Sequence, residues 1–70
     1  MAVGVAVRIN GDLAEVEPGT TIADLVSSRS RSDRGIAVAR NGEVVPKSLW
    51  ASQRIATGDS IEILSAAAGG

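Results

Sequence analysis

The sequence predicts an α+β domain in which one main helix covers one face of a mixed sheet of four or five strands. Three observations predict it. Two segments alternate apolar and polar residues, and each is closed by Asn-Gly, at Asn10-Gly11 and Asn41-Gly42. A stretch between them repeats apolar residues at helical spacing through Ile22, Leu25 and Val26. A last alternating segment, "SIEIL", lies near the end of the chain.

The first strand is "VAVRIN", with Val5, Val7 and Ile9 on one face and Gly4, Ala6 and Arg8 on the other. Asn-Gly is a strong hairpin signal, because a type I′ turn needs positive φ at both central positions. Asp12 to Val16 is therefore expected to pair back, with Ala14 and Val16 inward and Leu13 partly exposed. Pro18-Gly19 turns the chain, and Thr21 is placed to cap the helix that follows. Asp24, three residues beyond Thr21, makes a short-armed capping box and complements the helix dipole.

The helix is expected to fade in "SSRSRSDRG", Ser27 to Gly35, where serines compete for backbone hydrogen bonds. Arg29, Arg31 and Arg34 are read as a solvated loop, with a docking patch as the alternative. "IAVARNGEVV" then repeats the hairpin pattern until Pro46 ends it. Leu49, Trp50 and Ile55 suggest a helical turn and an irregular crossing, with Trp50 a lid over the sheet edge rather than an interface anchor. In the last strand Ile61 and Ile63 face one way and Glu62 and Leu64 the other.

Composition narrows the function. Seventy residues make one small domain, and seven basic against eight acidic residues leave a net charge of −1. That balance carries no electrostatic footprint for nucleic acid or anionic lipid. Apolar runs are far shorter than the roughly 20 residues that cross a bilayer, so a soluble protein without a membrane segment is expected. The chain has no cysteine, which excludes thiolate metal ligands and disulfides and fits a cytoplasmic setting. With no Cys, His or Tyr, a catalytic group would have to be a carboxylate, Lys47 or an unassisted hydroxyl, so an enzyme in its own right is not expected. No metal site or bound cofactor is predicted.

The final segment "SAAAGG" reads as a tail, residues 66–70, beyond a domain of residues 1–65. From these residues alone, a frayed end and a site are equally open readings. Glycines at 69 and 70 fit a channel too narrow for a β-carbon. The five residues of the tail span at most about 17 to 18 Å when extended.

The segments "RINGD", "PGTTIADLV", "AVARNGEVVPKSLWAS", "GDSIEIL" and the terminal "GG" together resemble the ThiS/MoaD family of ubiquitin-like β-grasp sulfur carriers. Within it they are most similar to the thiamine thiazole branch. "NGEVVP" followed by Trp50 is the most specific part. The resemblance implies that Gly70 is the modified residue. An ATP-dependent ThiF/MoeB-like enzyme would convert its carboxylate to an acyl-adenylate, and sulfur from a donor such as a cysteine desulfurase would then leave a thiocarboxylate. Thiazole synthase (ThiG) would take the sulfur.

Ala66, Ala67, Ala68 and Gly69 would enter the partner, while Arg8, Glu62 and Leu64 on the exposed sheet face would dock it. Relatives commonly carry a larger aliphatic residue among the positions of Ala66 to Ala68, and three methyl groups bury little apolar area. The rival readings are a MoaD-like carrier for molybdopterin or cysteine synthesis, and a β-grasp binding module whose terminus is never modified.

Overall fold

Alternation, turn and cap each take the form the residues dictate in the computed structural model, which describes residues 4–30 and 34–65. β1 (Val5–Ile9) and β2 (Asp12–Val16) pair antiparallel around Asn10 and Gly11, whose φ angles are 54° and 88°. Positive φ at both positions is the type I′ requirement. β3 (Ile36–Arg40) and the short β4 (Glu43–Val44) repeat the arrangement around Asn41 and Gly42, at 53° and 87°. β5 (Ser60–Ser65) completes a sheet of five strands in the order β2-β1-β5-β3-β4. Its pairing with β1 is parallel and with β3 antiparallel, so the sheet is mixed as expected.

The helix α1 spans Ile22–Arg29 and starts in a complete capping box. Thr21 Oγ1 accepts from the Asp24 N–H and Asp24 Oδ2 from the Thr21 N–H, both at 3.1 Å. The other N–H groups of the first turn also have partners. Ile22 donates to the Gln53 carbonyl, Ala23 to that of Trp50 and Leu25 to that of Thr21. The crossing segment after β4 thus caps the helix from outside. It contains a 3-10 turn at Lys47–Leu49, the helical turn expected near Leu49 and Trp50.

α1 continues through Ser27 and Ser28 to Arg29, further than the polar composition suggests. The Ser28 hydroxyl donates to the Leu25 carbonyl at 2.8 Å, so it bonds within the helix. Arg29 therefore lies in the last helical turn, where its charge suits the dipole, and not in a loop. Arg31 lies outside the described residues.

The core lies between helix and sheet. Val7, Ile9, Val38 and Ile61 rise from the sheet against Ile22, Leu25 and Val26, while Val45, Trp50 and Ile55 close one side. Trp50 is buried as the expected lid, and its indole N–H donates to the Val45 carbonyl at 2.9 Å. Ala14 and Val16 pack on this core and Leu13 points away, as the alternation in β2 requires.

Asp59 is the buried charged residue among those described. Its Oδ2 lies 2.9 Å from Arg40 Nε and accepts from the Ala56 N–H at 2.8 Å, while Oδ1 accepts from Asn41 Nδ2 at 3.1 Å. Burial alone would raise its pKa, but the Ala56 and Asn41 donors and the Arg40 charge hold it below the ordinary 3.8. A carboxylate lowered in the folded state stabilises the fold above its unfolded pKa, and that contribution is lost as pH falls through the folded value. Thermal melts are therefore expected to drop as the pH is taken below 3.8. Asp59→Asn should flatten that part of the profile, and an unchanged acid slope would count against the pair.

Candidate functional site

β5 is the last strand in sequence and the middle strand in space. Each of its neighbours, β1 and β3, opens one of the two hairpins. Inner-face residues Ile61 and Ile63 turn toward the helix, and Glu62 and Leu64 turn to solvent. The strand ends at Ser65, opposite Ile36. Ala66, Ala67, Ala68, Gly69 and Gly70, the predicted tail, lie outside the described residues.

Arg8, Glu62 and Leu64 share the solvent face of the sheet. Arg8 stands opposite Ser60 on β5, so Glu62 is its diagonal neighbour two residues further along. Leu64 stands opposite Ala37, and Glu62 opposite Ala39, which in turn faces Val44 on β4. Leu64, Val44 and Leu13 are 61, 76 and 74% exposed, and all three lie on this face. The face is thus largely aliphatic, with Arg8, Glu15 and Glu62 set into it; Arg8 Nη1 also reaches the Gly11 carbonyl at 3.4 Å. Such a surface offers apolar area with a charge of each sign to fix orientation.

Sequence alternation finds Arg8, Glu62 and Leu64, but not that Ala37, Ala39 and Val44 join the same face, because that depends on the order of the strands. It also leaves unseen the role of the two turn asparagines. Asn10 bonds to Ile63 and Asn41 to Ser60, so each hairpin turn grips β5 from its own side. The repeated Asn-Gly on either side of the last strand is the signal that points to them.

Among the described residues no group of three His, Cys, Asp or Glu side chains is placed to hold a metal, and no helix is long and apolar enough to cross a membrane. The face is suited to hold a protein, and nothing in its residues forms a nucleophile–base pair.

Comparison with known proteins connects this geometry to a family. The profile of the ThiS family matches residues 7–70. A thiazole synthase from Paramagnetospirillum magneticum is 36% identical over 62 residues, which are 89% of this chain but 19% of that protein. The sulfur carrier protein ThiS of Escherichia coli is 28% identical over 64 residues, covering 91% of this chain and 97% of its own length. The crystal structure of the thiamine biosynthesis protein ThiS from Geobacter metallireducens superimposes with a TM-score of 0.78 at 22% identity, over 87% of this chain and 93% of that one. The fold is the ubiquitin-like β-grasp of that structure. With a family match that runs from β1 through Gly70, the chain belongs to the ThiS family.

Proposed function

We propose that the chain carries sulfur as a thiocarboxylate on Gly70 and delivers it to thiazole synthase. As a member of the ThiS family it is a small sulfur carrier protein of thiamine biosynthesis and not itself an enzyme. The observation that carries the reading is the family match through Gly70, five residues after the central strand ends at Ser65. A carboxyl terminus with a pKa near roughly 3.5 is a carboxylate at neutral pH and resists nucleophiles. A ThiF/MoeB-like enzyme overcomes this by letting a carboxylate oxygen attack the α-phosphorus of ATP, with pyrophosphate leaving. Persulfide sulfur from a cysteine desulfurase or similar donor then attacks the acyl carbon and AMP departs, and a second thiol cleaves the resulting acyl disulfide to leave the thiocarboxylate and a disulfide. All bond-making chemistry belongs to partners, and the carrier supplies the acyl group.

The thiazole synthase relative supports the choice of recipient, since about a fifth of that protein corresponds to this chain. It favours the thiazole pathway over a MoaD-like role. Residues 66–70 form the extended tail of this reading, with a reach of about 17 to 18 Å. Arg8, Glu62 and Leu64 dock the partner while the tail enters its nucleotide site, and a chain without cysteine fits a cytoplasmic setting.

The test is to incubate the chain with the adenylating enzyme, ATP and a sulfur source, then add a thiol-reactive probe. Because the chain has no cysteine, a label reports a new sulfur group. Fragmentation is required, because replacing oxygen by sulfur is nearly isobaric with oxidising Met1. An ATP-dependent label on Gly70 supports the carrier, and an unlabelled chain beside an active control carrier favours the binding module.

The docking face has its own test. Arg8→Glu and Glu62→Arg are each expected to lower kcat/KM for adenylation about tenfold, the equivalent of roughly 1.4 kcal/mol, with the loss largest at low salt. Adenylation kinetics unchanged in both variants would remove this face from the docking surface.

A further inference from the structure

β1 ends before β5 does. The two strands pair through Arg8 with Ser60 and Ile9 with Ile61, and the last backbone bond is from the Asn10 N–H to the Ile61 carbonyl at 2.8 Å. β5 runs on to Ser65, held by β3 on its other side. Beyond Ile61 the Asn10 side chain takes over. Its Oδ1 accepts from the Ile63 N–H at 2.8 Å and its Nδ2 donates to the Ile63 carbonyl at 3.3 Å. A primary amide carries one acceptor and two donors, so it can imitate the N–H and C=O of a further strand residue.

The turn does not require this amide, since glycine takes positive φ freely. Asn41 provides an internal comparison: the same turn position, nearly the same φ, and a side-chain Oδ1 that accepts from the Ser60 N–H at 2.9 Å. Asn41 grips the start of β5 and Asn10 its second half, three residues further along.

We propose that Asn10 is a positioning residue whose side-chain amide clamps Ile63 on the β1 side of β5 and so steadies the strand segment that leads to Gly70. The proposal rests on the carrier reading above. Releasing Ile63 on the β1 side would leave the second half of β5 held by β3 alone, and its added freedom would have to be given up each time the partner docks. The loss should appear in recognition of the carrier and not in the chemical step.

Asn10→Gly and Asn41→Gly are paired variants, because each keeps a turn that tolerates positive φ; the first removes the two bonds to Ile63, the second the bond from Ser60 together with that to the buried Asp59. In Asn10→Gly the Ile63 amide is expected to exchange about tenfold faster by NMR, and the KM for the carrier in adenylation to rise about tenfold with kcat held within about twofold. Asn41→Gly, which also takes a donor from the buried Asp59, should lose at least as much thermal stability and leave KM within about twofold. An equal rise of KM in both variants would reduce Asn10 to a stability role, and unchanged Ile63 exchange in Asn10→Gly would remove the clamp. If the unaltered chain takes no label at Gly70, the carrier reading fails, and Ile63 exchange still decides whether the clamp exists.

Discussion

A chain lacking Gly69 and Gly70 is expected to take no ATP-dependent sulfur label and to unfold at the same urea concentration as the full chain. The buried core extends from Val7 to Ile61, so the truncation removes none of it. On the proposed carrier reading, what it removes is the acyl group that a partner would activate. A new carboxylate would end the shortened chain at Ala68, so charge alone is conserved. That carboxylate sits two residues, about 7 Å, short of the original one and carries a β-carbon beside it. The loss should therefore be complete within detection, while far-UV circular dichroism and the denaturation midpoint stay in place. Retained labelling would show that position 70 is not the modified residue. A collapsed midpoint would show that the two glycines serve the fold.

The second large effect is expected at Trp50. Trp50→Ala should cost about 3–5 kcal/mol, the usual range for truncating a buried aromatic residue to alanine. A domain of this size has a total stability of roughly 3.5–10 kcal/mol, so the variant would be largely or marginally unfolded. Trp50 is the aromatic residue of the chain, and the rest of the core is aliphatic. Its removal would leave a cavity between Val45, Ile55 and the helix, and would leave the Val45 carbonyl without its indole donor. Urea unfolding followed by circular dichroism measures the effect, and a cost below about 1 kcal/mol would contradict the lid.

Local features of the fold were legible because local physics decides them. Alternation in Val5, Val7 and Ile9 gives a half-buried strand, Asn-Gly gives the type I′ turn, and Thr21 with Asp24 gives the helix start. The end of α1 was less legible: serine propensity argues for fading after Val26, yet the helix reaches Arg29 because Ser28 bonds back to Leu25. The central place of β5 and the groups that hold it were not legible. Asp59 is the buried partner of Arg40, and Asn10 read as a turn residue and is also a clamp. Each depends on contacts between distant segments, which periodicity within one segment does not encode. For the site, sequence named Arg8, Glu62 and Leu64, and strand order supplied Ala37, Ala39 and Val44 beside them.

The strand order has a consequence for how the protein is made. The middle of the sheet is the last strand to be synthesised, and the Asn10–Ile63 contact spans 53 residues. Until β5 emerges, the two hairpins and the helix have no element to join them, and a chain stopped early exposes two strand edges where β5 belongs. The fold therefore closes only when the segment that leads to Gly70 is already present. On the proposed carrier reading, a copy without β5 lacks the docking residues Glu62 and Leu64 together with the segment that leads to Gly70.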